Sequence, residues 1–213
     1  YNVEYYVSLI KKKLSKKRFE HCINVSRECV KLAKKYNVDP YKAKMAGILH
    51  DITKEEPFKK QMNTIKHFGM IMTEYEKKSP SLWHPISGAA FLKYKLMIKD
   101  NDIINAVRYH TTGRPNMSML EKIVFLSDAI SIERNYKGVS YLRDLAYKDI
   151  NEALAECVAL NLKRLVELKL FIEPNSIMLY NEVIDDNIKS RIKKENNLNC
   201  RKIYRAKCMV KIV

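Results

Sequence analysis

Apolar residues recur at intervals of three and four along most of this chain, and no strict alternation of apolar and polar positions lasts beyond a few residues. That pattern argues for helices throughout and against sheet. Ser15 is placed to cap a long helix running to Tyr36, and Asp39 followed by Pro40 opens the next one, in "NVDPYKAKMAGILH". The spacing predicts further helices over 57–68, 85–97, 102–110, 118–131, 140–147, 150–171 and 175–184. Glycine is scarce, with five in all, and there is no internal repeat and no linker. The expected architecture is all-α, a helical bundle with a single domain over residues 1–186 and a basic C-terminal tail over 187–213.

Composition narrows this picture. A chain of 213 residues, 46% of them apolar, is long enough for one domain with a substantial core. No run approaches the roughly 20 apolar residues of a membrane span, and no apolar stretch follows a basic start. The expected location is the cytosol, with no membrane partner. Five cysteines form no C-x-x-C pair, so they are expected as reduced thiols.

The net charge of +16 would suggest a nucleic-acid binder if it were evenly spread. It is not: nine Lys/Arg against one acid in 187–213 give the tail +8, and the other +8 is diluted over 186 residues. The body therefore suits an anionic substrate such as a nucleotide, without requiring nucleic acid. The tail reads as a solvated or partly disordered appendage.

Chemistry enters where polar residues interrupt the buried faces. His21 shares a stripe with Val25, Cys29, Leu32 and Tyr36. His50 lies on the face of Ala43, Ala46 and Gly47, with Asp51 directly behind it in "GILHDITKEE". His110 ends a helix on the face of Ile103, Ala106 and Val107, and Asp128 follows Val124 and Phe125. His84 precedes Pro85, which biases it away from helical geometry and places it at the entrance to a helix. Any one of these has an ordinary structural explanation, such as a hydrogen-bonded core histidine or a carboxylate accepting loop N–H groups. Four histidines and two aspartates converging on one core do not, because a buried carboxylate without a partner costs several kcal/mol. Six N/O ligands without sulfur exceed one tetrahedral zinc and fit two metals sharing a carboxylate, with Fe, Mn, Co or Zn as the candidates. The remaining histidine, His67, is expected to sit as a cation at a helix C-terminus.

The order His21, His50-Asp51, Asp128 resembles the H…HD…D pattern of the HD-domain metal-dependent phosphohydrolases. The segments "KRFEH", "ILHDITK", "WHPISGA", "YHTTGRPNMS", "EKIVFLSDAI" and "GVSYLRDLA" are similar to the bacterial YqeK-type HD proteins over roughly residues 1–186. The resemblance implies an HD-type fold, symmetrical cleavage of diadenosine tetraphosphate to two ADP through a metal-bridging hydroxide, and a dinuclear centre with iron as the metal. Mapped by motif, His21, His50, Asp51 and Asp128 would hold one metal and Asp51, His84 and His110 the other, which makes Asp51 the bridge. The chain departs from the family at Ser131 and Ile132, where an acidic residue and a proline are expected, so the carboxylate expected there is missing from its place.

Asp51 and Lys54 are the expected catalytic residues. Lys54, three residues after Asp51, is the first candidate for a phosphate contact, followed by Arg18 and Arg134 and by the turn Thr111, Thr112, Gly113 and Arg114. Trp83 is weighed as a base-stacking residue against an ordinary place in the core. Two competing readings are an HD-type hydrolase of another nucleotide, such as a nucleoside di- or triphosphate or a cyclic dinucleotide, and a basic nucleic-acid-associated module with a structural metal. Oligomeric state is open in the sequence, a homodimer included.

Overall fold

Ala43 and Met45 to Leu49 are all buried, so the C-terminal half of the helix that carries them is enclosed and marks the middle of the molecule. The computed structural model describes residues 2–209; the side chains of 190, 191 and those from 194 onward lie outside that description. In chain order the α-helices are α1 (Val3–Lys13), α2 (Lys16–Lys35), α3 (Pro40–Leu49), α4 (Phe58–His67), α5 (Glu74–Lys78), α6 (Trp83–Ala90), α7 (Asn101–Tyr109), α8 (Met119–Ile130), α9 (Val139–Lys148), α10 (Ile150–Glu167) and α11 (Pro174–Met209). There is no strand among the described residues, so the all-α expectation holds. None of these helices is long and apolar enough to cross a membrane.

The central helix α3 packs against α1, α2, α7 and α8, while α9 and α10 pack on the far side of α8 and α11 packs on α10. Closest is the approach of α2 to α3. A Cβ on Gly47 would lie 2.6 Å from Ser26 Cα, so only glycine lets the two backbones meet there. This brings the buried face of α2, with His21, Val25 and Cys29, directly against the C-terminal half of α3. Cys22, Cys29 and Cys157 are buried free thiols, as expected; Cys200 and Cys208 lie among the side chains outside the description.

Several caps fall where the sequence puts them. Ser15 accepts from Arg18 N, Asp39 accepts from Tyr41 N, and Ser118 with Glu121 forms a reciprocal capping box at the start of α8. Other expectations need correction. α6 begins at Trp83, so His84 is helical despite preceding proline. Pro85 sits in the first turn, where its missing N–H has no intrahelical acceptor to lose. After Ala90 the helix widens into a π-type turn over Phe91–Lys95, with Leu96 N bonding to Phe91 O at 3.0 Å. α10 stops at Glu167 rather than at 171: Lys169 takes φ 53°, and Leu170 N turns back to Leu165 O at 2.9 Å. The helix foreseen over 175–184 is the first part of the longer α11. The solvated character expected of 187–213 concerns side chains that lie largely outside the described residues.

Candidate metal centre and adjoining cleft

Six residues from five segments meet at the C-terminal end of α3. His21 comes from the second turn of α2, His50 caps α3, Asp51 follows it, His84 lies in the first turn of α6, His110 caps α7 and Asp128 is on α8. All are buried except Asp128, which is partly exposed toward a neighbouring cleft. The set expected from sequence is thus brought together in full.

The two oxygens of Asp51 divide the histidines between them. Oδ2 lies 3.5 Å from His50 Nε2 and 3.9 Å from His21 Nε2, and His21 Nε2 is in turn 3.1 Å from Asp128 Oδ1. Oδ1 faces the other way, 3.3 Å from His84 Nε2 and 3.5 Å from His110 Nε2. Within each group the imidazoles point at one another: His21 and His50 are 3.3 Å apart at Nε2, and so are His84 and His110.

Ring orientation explains why such a cluster calls for a cation. The Nδ1 atoms of His50, His84 and His110 donate to the carbonyls of Gly47, Ser81 and Val107, each at 2.8 Å. A neutral imidazole with its proton on Nδ1 presents a lone pair at Nε2. Lone pairs therefore face lone pairs across 3.3 Å, beside a buried Asp51 Oδ1 that has no hydrogen bond. A divalent metal satisfies all of these acceptors at once, and the set fits such a centre.

Protonation agrees with that donor set. Burial pushes the His84 imidazole down to about 4 against the pull of Asp51, which keeps it neutral. The backbone around Asp51 is held in place: the Thr53 hydroxyl donates to His84 O at 2.8 Å and lies 2.8 Å from Ser87 Oγ, tying the loop after α3 to α6.

Beside the cluster opens a cleft of about 740 Å³ that reaches His110 and Asp128. Lys54, Thr111, Thr112 and Arg134 line it near the cluster; Tyr136, Asn161, Arg164 and Phe171 line it further out. Lys54 Nζ rests against His84, 3.2 Å from Nε2 and 3.3 Å from Nδ1, and burial lowers its pKa. Arg134 bonds Asp128 through Nη2 to Oδ1 and through Nε to the carbonyl at 3.0 Å. Arg18 reaches the cluster itself: its Nη1 donates to Asp51 Oδ2 at 2.8 Å.

The turn after His110 divides its labour. Thr111 and Thr112 line the cleft, but Arg114 clamps Glu121 through two 2.7 Å bonds and lies against the Tyr109 ring. Gly113 has φ 64°, and a Cβ there would meet Leu179 Cδ2 at 2.3 Å, so this glycine seats the turn on α11. Arg114→Ala is therefore expected to leave kcat and KM close to wild type while costing about 1–3 kcal/mol of stability, as buried Glu121 loses its partner. Urea unfolding alongside steady-state kinetics checks this; a large rise in KM would return Arg114 to the substrate. Trp83 donates its Nε1–H to Glu76 O at 2.8 Å and packs edge-on against Phe58 rather than lining the cleft. His67 ends α4 in an exposed position.

One participant escapes the sequence reading. Glu133, just past α8, bonds His21 Nδ1 through Oε1. A carboxylate is therefore present near the cluster even though Ser131 and Ile132 stand where the family resemblance leads one to expect an acid and a proline.

Fold and cluster together define a helical hydrolase built around a histidine–aspartate centre. Residues 18–133 match the HD domain family, whose fold is that of metal-dependent hydrolases, and the chain belongs to this family. It is 32% identical over 183 residues to the symmetrical bis(5'-nucleosyl)-tetraphosphatase of Bacillus subtilis (strain 168), covering 86% of this chain and 98% of that one. The enzyme of the same name from Halalkalibacterium halodurans is 34% identical over 178 residues, covering 84% and 95%. A crystal structure from Clostridium acetobutylicum, described as a predicted HD superfamily hydrolase involved in NAD metabolism, superposes with a TM-score of 0.84. That chain is 33% identical, with 87% of this chain and 98% of the other covered.

Proposed function

We propose that the chain cleaves diadenosine tetraphosphate symmetrically to two ADP at a dinuclear metal centre. The observation that carries this reading is the placing of Asp51, whose two oxygens face the His21–His50 and His84–His110 pairs of one continuous imidazole cluster, His50 and His110 meeting edge-on at 5.0 Å, at one end of a cleft. Relatives of nearly the same length carry the corresponding name. His21, His50, Asp51 and Asp128 would hold one metal, and Asp51, His84 and His110 the second. Iron is the proposed metal and the cytosol the proposed location. Two such ions, when bound, supply Lewis acidity that lowers the pKa of water toward neutrality and neutralises phosphate oxygens.

The side chains around the cluster perform the rest. Lys54, at the junction of cluster and cleft, contacts a phosphate oxygen of the substrate, and its partial burial makes that contact stronger than in open water. Arg134 holds Asp128 in place and turns its remaining N–H groups to the polyphosphate. Arg18 fixes Asp51 from the side opposite the cleft-facing histidines. Thr111 and Thr112 offer hydroxyls along the cleft wall, and the outer stretch near Tyr136, Asn161 and Phe171 takes one nucleoside.

The test is product analysis on protein purified with its metals and supplied with diadenosine tetraphosphate. Two ADP per substrate, with two equivalents of iron in the protein, is the expected result. AMP plus ATP would mean asymmetric cleavage and would overturn the placement of the cut. A substrate panel including nucleoside triphosphates and cyclic dinucleotides decides whether the same centre serves another nucleotide better.

A further inference from the structure

Three of the four clustered imidazoles are aimed by the main chain. His50, His84 and His110 each donate Nδ1–H to the carbonyl three residues earlier, at 2.8 Å. His21 lies inside α2, where the carbonyls of the preceding turn are occupied by the helix itself, so its Nδ1 needs an acceptor from another element. It finds the carboxylate of Glu133, which is pinned on both oxygens: Oε1 accepts from the Ser131 hydroxyl at 2.8 Å, and Oε2 accepts from Asn24 Nδ2 at 2.9 Å. Asn24 is one turn from His21 on the same helix, so ring and carboxylate are registered against a common element.

We infer that Glu133 is the positioning residue that sets the ring orientation and tautomer of His21. The inference rests on the metal-centre part of the proposed function and is independent of the substrate. A carboxylate on Nδ1 holds the proton there, leaves the Nε2 lone pair facing Asp51 and Asp128, and raises the basicity of the ligand. Without it, χ2 of His21 has two orientations of similar energy, and only one presents Nε2 to the cluster. Ser131 has a subsidiary place as donor to this carboxylate, which accounts for a hydroxyl being buried at that position.

The experiment compares wild type, Glu133→Gln, Glu133→Ala and the double variant Ser131→Glu with Glu133→Ala. Apoprotein is titrated with Co(II) against a competing chelator, following the ligand-field bands. In Glu133→Ala, one of two metal equivalents is expected to bind about 10–100-fold more weakly while the other is unchanged. Glu133→Gln, whose amide oxygen still accepts the Nδ1 proton, is expected to lose less, and the double variant to recover. Glu133 is about one-third exposed, so the apoproteins are expected to melt together. Wild-type affinity at both equivalents in Glu133→Ala, or an equal loss at both, would overturn the inference. Imidazole 15N NMR of the apoproteins, at alkaline pH where the rings are neutral, separates this from the metal reading. His21 is expected as the Nδ1–H tautomer in wild type and as a mixture in Glu133→Ala. Wild type that binds no cobalt sinks the metal centre, while unchanged tautomers sink the role of Glu133.

Discussion

Asp51→Asn is expected to leave a folded protein that holds neither metal. The asparagine keeps the shape of the side chain but puts an NH2 donor where one of two carboxylate oxygens had been, and each of those oxygens faces its own imidazole group. Both sites lose their shared anion at once. kcat/KM is expected to fall on the order of 10³-fold or more, about 4 kcal/mol of transition-state stabilisation. His84→Ala is the informative contrast, since it removes a ligand from one group only and is expected to cost one equivalent. Metal content by mass spectrometry, beside kinetics, decides; two equivalents retained in Asp51→Asn would end the bridging assignment. The apoprotein's melting temperature is expected to stay close to wild type, because the weakened pairing with Arg18 is offset by an amide NH2 that can donate to the imidazole nitrogens where a carboxylate oxygen had no hydrogen bond.

The second large effect belongs to Lys54. Its ammonium touches His84 but lies outside the six-residue ligand set, and it lines the cleft where that cleft meets the cluster. Lys54→Met keeps the length and apolar stem and removes the charge. The expected outcome is a 10²–10³-fold loss in kcat, about the effect of deleting one charge-stabilising donor, with both metals retained. A rise in KM alone would make Lys54 a ground-state binding residue instead. Loss of metal would show that it supports His84 rather than the substrate.

Much of the fold was legible because α2 and α7 carry their burial in a helical period and because α2, α3 and α8 announce their starts with Ser15, Asp39 and Ser118. Two missed helices did leave signals. Val3, Tyr6, Val7, Ile10 and Leu14 repeat at helical spacing behind the cap Asn2, and Thr73 with Glu76 makes a capping box for the short α5. The end of α10 was not readable, since it turns on Lys169 taking a left-handed conformation without a glycine to mark it. The metal-centre residues were visible as polar interruptions of apolar faces, a one-dimensional signal. The outer acceptor of His21 was not, because pairing Glu133 with a residue 112 positions away is a fact of tertiary structure alone. For the same reason Arg114 could not be assigned in advance: only the fold shows that Glu121 reaches it first.

The wide spacing of the cluster along the chain has a consequence for biosynthesis. Its first member is His21 and its last is Asp128, so during synthesis the earlier donors emerge well before α8 exists to complete them. A nascent chain that ends before α8 has the histidines but neither Asp128 nor the packing that turns them inward. Filling of the proposed site of His21, His50, Asp51 and Asp128 would in this way wait on the synthesis and docking of α8, whereas the site of Asp51, His84 and His110 draws on no residue beyond α7 and its cap.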